Sequence, residues 1–448
     1  MVIIIAKLEL FILTPGMDKK QPPNHSQTLL MKSQMAASRP GCRSWGHLWS
    51  SSTPGILPFF TSFNLLGLCT NHLSRGSVNS FGVFQNYYNS ELLSDVSNSN
   101  ISWVGSVQAC LLCLMGFITG PLFDIGYAYH LLYIGSFLVV FGMFMTSLCS
   151  EFWQIMLAQG ICIGLGSGCL FIPSVGIVST YFSTRKALAT GLAVSGSSIG
   201  GVVYSIAFSQ LQQQIGFRWA TRVIGFIMLA TLLVAIAVYR VRVLPPEKRR
   251  LLDLQAFKEP PFAAFNTLVF FTCVGLYVPY FYISSWATRE GIMSPSLAFN
   301  MVPILSAGSV FGRILPNLVA DKLGPINMMA ACTSAACVLG FCWIAIHNIP
   351  GIIVFCVLYG FFSGSFVSLQ PAVVVTLSPS LGIFGTRMGM SSCFAGLGIL
   401  VGNPVAGAIV GDGSWLGIML FCGCSLAVGA SFAYVTKFVK SKEVAARV

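Results

Sequence analysis

Apolar runs about as long as a bilayer is thick, separated by short polar gaps, occupy nearly all of the chain after residue 100. Eleven stretches, uncharged apart from Arg313, follow one another at 101–123, 131–149, 153–182, 187–211, 223–239, 262–286, 297–319, 326–346, 352–377, 388–410 and 415–436. About 20 apolar residues cross the hydrocarbon core, so each stretch predicts a membrane-spanning helix. The uncharged run across 323–386 is too long for one helix, and His347-Asn348-Ile349-Pro350-Gly351 supplies the break. A twelfth span is expected between residues 55 and 88, in a segment interrupted by Pro54, Pro58, His72 and Arg75.

Composition agrees with lipid as the solvent. Only 8% of the 448 residues are charged and mean hydropathy is +0.78, whereas a soluble domain carries about 25% charged residues. That excludes a soluble globular protein, a disordered chain, a collagen-like repeat and a basic nucleic-acid binder. The net charge of +12 sits in the gaps between apolar runs. Most of the 15 cysteines, among them Cys110, Cys113, Cys162, Cys169, Cys332, Cys337, Cys422 and Cys424, lie inside apolar runs and read as small hydrophobes. No metal site, disulfide framework or cofactor is expected.

The basic residues give a topology, because cytoplasmic loops retain Lys and Arg. With twelve spans and both termini cytosolic, 20 of the 25 basic residues fall inside and three (Arg218, Arg222, Arg289) outside, while Arg75 and Arg313 fall within spans. The domain reading is a disordered cytosolic tail at 1–53, a six-helix bundle at 54–240, a cytosolic linker at 241–261, a second six-helix bundle at 262–436 and a cytosolic tail at 437–448. An internal repeat supports it. Gly120-Pro121-Leu122-Phe123-Asp124-Ile125-Gly126 closes span two, and Leu318-Val319-Ala320-Asp321-Lys322-Leu323-Gly324 closes span eight. Arg185 and Arg387, 202 positions apart, each open a glycine-rich helix. The expected fold is therefore an all-α polytopic membrane protein of twelve transmembrane helices in two pseudo-symmetric bundles, a pattern of carriers that rock one bundle against the other.

These residues carry a resemblance to the major facilitator superfamily. The Gly-xxx-Asp-x-Gly turn at Gly120, Asp124 and Gly126 resembles that superfamily's loop between helices two and three, with a degenerate copy at Asp321. More narrowly, residues 78–85, 153–182, 189–201 and 307–313 resemble the fungal branch of the monocarboxylate porter family. The similarity runs from Gly76 to the C-terminus. Upstream, the family's Asp-Gly-Gly entry to helix one is missing, and Arg75 stands where relatives carry an aromatic residue. The resemblance implies a carrier of small organic anions or metabolites. Its fungal branch includes monocarboxylate-like porters, a vitamin importer and exporters of secondary metabolites.

Arg313 is the leading substrate-binding candidate, since a guanidinium within a span commonly marks a solute path. Two readings stand: a fork that accepts a carboxylate through two parallel hydrogen bonds, or an Arg that snorkels to the headgroups. Pro316, just after it, frees the carbonyl of Gly312. The resemblance favours the fork. In animal members an Asp one turn before this Arg and a Lys in helix one are tied to proton coupling, but this chain has Ser309 and Asn79 there. None of the 13 acidic residues lies deep in a span, so coupling stays open, with His72 or the substrate itself as proton carriers. Asn79, Tyr277 and Asn300 are further substrate-binding candidates.

Gly120, Asp124, Gly126, Asp321, Arg185, Arg387, Gly196 and Gly200 are conformational candidates. The acids read either as pins on adjacent helix ends or as markers of the water boundary. Glycines four apart (Gly160, Gly164 and Gly168; Gly196 and Gly200; Gly398 and Gly402) suit close helix packing, with sliding of helices five and eleven as the functional alternative. The expected function is secondary or facilitative transport of a small organic anion by alternating access. A metabolite exporter, a vitamin importer or a carrier inactivated through its first helix are the alternatives. The expected partners are that solute and the bilayer, with no nucleic acid and the chain acting as a monomer. An enzyme is disfavoured because the five His are scattered, and no Gly-xxxx-Gly-Lys phosphate loop is present. The plasma membrane is the expected location, with a vacuolar or other internal membrane as the alternative.

Overall fold

The computed structural model describes residues 75–181, 186–238, 253–379, 383–411 and 413–445. Helix α1 comprises Gly76–Asn79, Phe81–Tyr87 and a π turn at Tyr88–Leu92. Then come α2 (Asn98–Ile125), α3 (Ala128–Thr146) and α4, built of Phe152–Ile155, a π segment at Met156–Ile163 and Gly164–Tyr181. The continuous element Lys186–Val238 is two helices, α5 and α6, because Gly216 adopts φ 75°, ψ 167° inside it. Its apolar part, Thr190–Ala237, has 48 residues. At 1.5 Å per residue that is about 72 Å, more than twice the hydrocarbon thickness. A chain reversal there is obligatory, and glycine is the residue that takes positive φ without strain.

After the linker, α7 runs as Pro260–Leu276 and Val278–Arg289, α8 as Met301–Leu323 after a turn at Pro295–Ala298, and α9 as Pro325–Cys342. Helices α10 (Ile349–Leu377), α11 (Phe384–Gly411) and α12 (Trp415–Ala445) complete the chain. The first part of the twelfth predicted span, residues 55–74, lies outside the described residues, as do the predicted N-terminal tail and most of the linker.

Helix neighbours repeat with an offset of six. Helix α2 packs on α4 as α8 packs on α10, α3 on α6 as α9 on α12, and α1 on α5 as α7 on α11. The seam between the two sets is likewise self-repeating, with α2 against α11 and α5 against α8. Glycines Gly126 (φ 105°) and Gly324 (φ 90°) end α2 and α8 and turn the chain directly into α3 and α9. The repeated sequence motif is thus, in part, a repeated helix stop.

Small residues set the spacing. Cβ atoms on Gly308 and Gly312 would meet backbone of α10, and those on Gly360 and Gly364 would meet backbone of α8. Gly160, Gly164 and Gly168 lie on α2 at Val104, Gln108 and Met115. Gly398 and Gly402 lie on carbonyls of α7, and Gly200 lies on Gly76 of α1. These four-residue pairs therefore pack helices within a half. Glycines Gly191, Gly201, Gly389, Gly396 and Gly407 make the close approaches across the seam. Overpacking costs about 1–3 kcal/mol even where side chains give way, and backbone cannot. Gly360→Val is expected to abolish the monodisperse peak in fluorescence size-exclusion chromatography. Gly120→Ala, with nothing within 4 Å of the added carbon, should leave it unchanged.

Candidate substrate path between the two halves

Seven helices meet along the seam, and between them lies a small cavity lined by Arg75 and Val78 of α1, Leu112 and Cys113 of α2, Cys273 and Tyr277 of α7, Phe366 and Gln370 of α10 and Ile399 of α11. Its free space is about 20 Å³, room for about one water. Both ends of the seam are shut. On the face away from the linker, Ser285 donates to Asn86 Oδ1 at 3.0 Å and Ser99 donates to the Pro404 carbonyl at 3.0 Å. Toward the linker, Gly389 lies on Phe117, and Gly191 lies on Arg313 and Asn317. Among the described residues this cavity has no room for a solute of metabolite size while these contacts hold.

Arg313 is buried at 2% exposure, and its Nη1 reaches the neighbouring half. Nη1 donates to the Val194 carbonyl at 2.8 Å and to Ser197 Oγ, both on α5, while Nε donates to Ser309 Oγ on its own helix at 3.2 Å. Ser198 donates to Ser309 at 2.9 Å, and Asn79 Nδ2 donates to the Ser197 carbonyl at 3.2 Å. These contacts join α1, α5 and α8. No carboxylate pairs with the group among the described residues, where the ion pairs fall on Arg387. Neutral dipoles alone offset its desolvation, which is costly for a buried charge. The carbonyl of Gly312 freed by Pro316 accepts from Ser365 Oγ of α10 at 2.9 Å. It ties α8 to α10.

Tyr277 stands at the break in α7. Pro279 lacks a donor and displaces the carbonyl four residues earlier. That carbonyl, Gly275, accepts from Cys422 Sγ at 3.4 Å, and the next, Leu276, accepts from Tyr359 Oη at 3.0 Å. Helices α10 and α12 thereby hold the break open with its polar atoms satisfied, and Tyr277 faces the cavity.

At the linker face, Arg387 near the start of α11 donates Nη1 to Glu259 Oε2 at 2.8 Å and Nη2 to Glu259 Oε1 at 2.5 Å. Nε and Nη2 also reach Asp253 Oδ2 at 3.3 and 3.2 Å, and Nη1 donates to the C-terminal carbonyl of α10, Leu377, at 2.8 Å. The group lies over the Phe262 ring at 5.1 Å. One side chain thus fastens the end of the linker to α7, α10 and α11. Sequence reasoning named Arg387 but not Asp253 or Glu259. Their signal was the pair of acids just before Pro260-Pro261 at a helix start.

The structure brings Arg313 and Asn79 together and places Tyr277 within electrostatic reach of Arg313. Asn300 stands apart, a correction to the expected substrate set. It precedes the first turn of α8, its amide donating to the Ser296 carbonyl at 3.3 Å. Thirteen residues separate it from Arg313, about 20 Å along a helix. Asp321 lies exposed in the last turns of α8. Arg185 and the side chain of Asp124 lie outside the described residues. Gly196 is buried in α5. Cys110 and Cys113, read from the sequence as small hydrophobes, form a Cys-x-x-Cys pair on α2 with Cys113 at the cavity wall, and sequence reasoning did not propose Arg75 as a site residue.

Comparison with known proteins gives a match to the family profile described as Major Facilitator Superfamily over residues 64–380, with a second match over 293–447. The chain is 47% identical over 351 residues to the MFS-type transporter dbaD of Emericella nidulans, covering 78% of this chain and 79% of the relative. It is 39% identical to the aspyridones efflux protein apdF of the same organism, covering 81% and 74%. To the agnestins efflux protein AgnL12 of Paecilomyces divaricatus it is 37% identical, covering 81% and 84%.

Two outcomes follow from the seam. In a double-mutant cycle of Arg313→Ala and Ser197→Ala, read by unfolding of the purified protein in detergent, the coupling should be about 0.5–3 kcal/mol. Additive effects would separate the two groups. Arg387→Ala should lower the melting temperature. Breaking a buried pair costs about 3–5 kcal/mol, and the lower end applies because Glu259 is 43% exposed and readily hydrated.

Proposed function

This chain belongs to the Major Facilitator Superfamily, and from that premise we propose that it exports a small organic anion of secondary-metabolite type by alternating access of the central cavity. The membrane transporter role comes with the family. Export and anionic substrate are the reading argued here. The observation that carries the charge preference is the sign of the interior. Arg75 and Arg313 lie at the seam within electrostatic reach of each other, while all 13 acidic residues fall outside the interior of the predicted spans. A positive interior of low dielectric favours an anion and disfavours a cation. Direction is supported by relatives named for efflux of aspyridones and agnestins.

The linker face is taken as cytosolic on the distribution of Lys and Arg, and the membrane as the plasma membrane. Opening toward the linker loosens the α5–α8 contacts at Gly191 and the α2–α11 contacts at Gly389. Opening the other way loosens those at Asn86 and Ser99. The buried side-chain amide of Asn403 on α11 has no hydrogen-bond partner among the described residues, and separation of the halves lets solvent or solute satisfy it. The narrower kinship with monocarboxylate porters rests on the segments at 78–85, 153–182, 189–201 and 307–313. The missing acid and lysine at Ser309 and Asn79 argue against their proton relay.

Without a carboxylate relay, the membrane potential is a sufficient driving force, worth about 2.3 kcal/mol per charge per 100 mV. Deleting the gene in its host should raise the cell-to-medium ratio of at least one organic acid severalfold, with reversal on reintroduction. A metabolite profile with no changed partition would overturn export. In vesicles carrying that acid, collapsing the potential with valinomycin and potassium should slow flux. Collapsing the pH gradient with nigericin should not, and the opposite pattern would assign coupling to another group.

A further inference from the structure

Three guanidinium groups reach the described interior, and they differ in what they touch. Arg387 holds two carboxylates. Arg313 donates from Nη1 and Nε to α5 and to Ser309. Arg75 stands over the face of Phe171 on α4, its Cζ 4.1 Å from the ring centroid, and it lines the central cavity. Its Nε is buried with no hydrogen-bond partner, and no carboxylate of the described residues pairs with it. Contact with a ring face steadies a cation but satisfies none of the in-plane N–H donors as an oxygen does. Its backbone carbonyl accepts from Asn79 N at 3.0 Å, so the residue is fixed in the α1 helical register. The cavity it borders is otherwise apolar or thiol-lined, apart from Tyr277 and Gln370.

We propose that Arg75 is the anion-recognition residue of the transport cavity, taking the acidic oxygen of an amphiphilic organic monoanion whose apolar body lies against Leu112, Phe366 and Ile399. The inference rests on the reading of this seam as the substrate path. It moves substrate recognition from Arg313, whose donors tie the two halves together, to a cation one helical turn before Asn79. A planar fork is suited to a carboxylate or a delocalised acidic enol. Tyr277, within electrostatic reach of Arg75, and Gln370 are placed to orient polar substituents. A monoanion offsets the charge of Arg75, which no carboxylate of the described residues pairs, whereas a cation would add to it.

The test needs neither the native substrate nor a transport assay, so its failure is distinct from a failure of the export reading. Cys113 and Cys273 line the same cavity and are free thiols. The full-length protein in nanodiscs is labelled with anionic 2-sulfonatoethyl methanethiosulfonate or cationic 2-(trimethylammonium)ethyl methanethiosulfonate, and modification of each cysteine is followed by peptide mass spectrometry. Taking the ratio of the two rates cancels any change in thiolate content. In wild type the anionic reagent should react faster at both positions. Arg75→Gln should lower the anion-to-cation ratio by about tenfold, and Arg75→Lys should keep most of it, which separates charge from misfolding. A ratio unchanged within about twofold in Arg75→Gln would overturn the assignment, and so would failure of both reagents to reach either cysteine in wild type.

Discussion

A guanidinium in the middle of a bilayer has to be neutralised by what surrounds it, and the positions of Arg75, Arg313 and Arg387 organise this molecule. Arg313 is the central case. Its partners, Val194, Ser197 and Ser309, are neutral, and two of them belong to the opposite half. Much of the desolvation of one charge is offset by the contact that the transport cycle has to remake. Such a contact is strong enough to close the seam and weak enough to open it, because dipoles hold a cation less firmly than carboxylates do. Arg387, with Glu259 and Asp253, shows the other solution, a charge-compensated fastening inside one half that has no need to break.

The glycines follow the same division. Within halves, Gly160 and Gly164 on α2, and Gly398 and Gly402 on α7, let backbones touch. With no hydrophobic drive between helices in lipid, that contact is what holds a half together. Across the seam glycines also meet backbone, Gly82 at the Tyr280 carbonyl and Gly191 at that of Arg313, but some meet small polar groups. Gly201 faces Ser306 and Asn79, and Gly407 faces the Tyr282 hydroxyl and Ser102. Polar, hydrogen-bonding groups on a close-packed surface are ones that water can take over when the surface opens. The surface between the halves thus adds small polar contacts to the close backbone contact that also holds each half together.

The small cavity fits this arrangement. Room for one water around Arg75, Tyr277 and Gln370 is far below the roughly 300–1,000 Å³ that ligand pockets occupy, so binding of a metabolite is inseparable from separation of the halves. The break in α7 at Tyr277, held by Tyr359 and Cys422, puts a bend at the cavity wall without leaving polar backbone exposed to lipid. The predicted spans hold Arg75 and Arg313 inside and all 13 acids outside their interior.

Much of the fold was legible in the chain, because lipid permits only helices of a given length and the charges that remain mark their ends. The spans from α2 to α12, the reversal between α5 and α6, and the two halves follow from apolar length, Gly and Pro positions and the Asp124 and Asp321 repeats. Arg313 and Tyr277 were legible as polar groups in the wrong solvent. Their partners were not. Helical spacing tells which residues share a face but not which helix that face meets, so Gly196 and Gly200 read first as packing surfaces, with sliding as the alternative. Asn300 read as a cavity residue until its depth along α8 was known. Apolar patterning by itself marked the spans from α2 to α12 and where the charges are unusual. Only the tertiary structure decided that Arg313 faces a neighbouring helix, that Arg387 meets two acids, and that Arg75 borders the cavity. Those choices depend on contacts between residues more than a hundred positions apart, which no local pattern records.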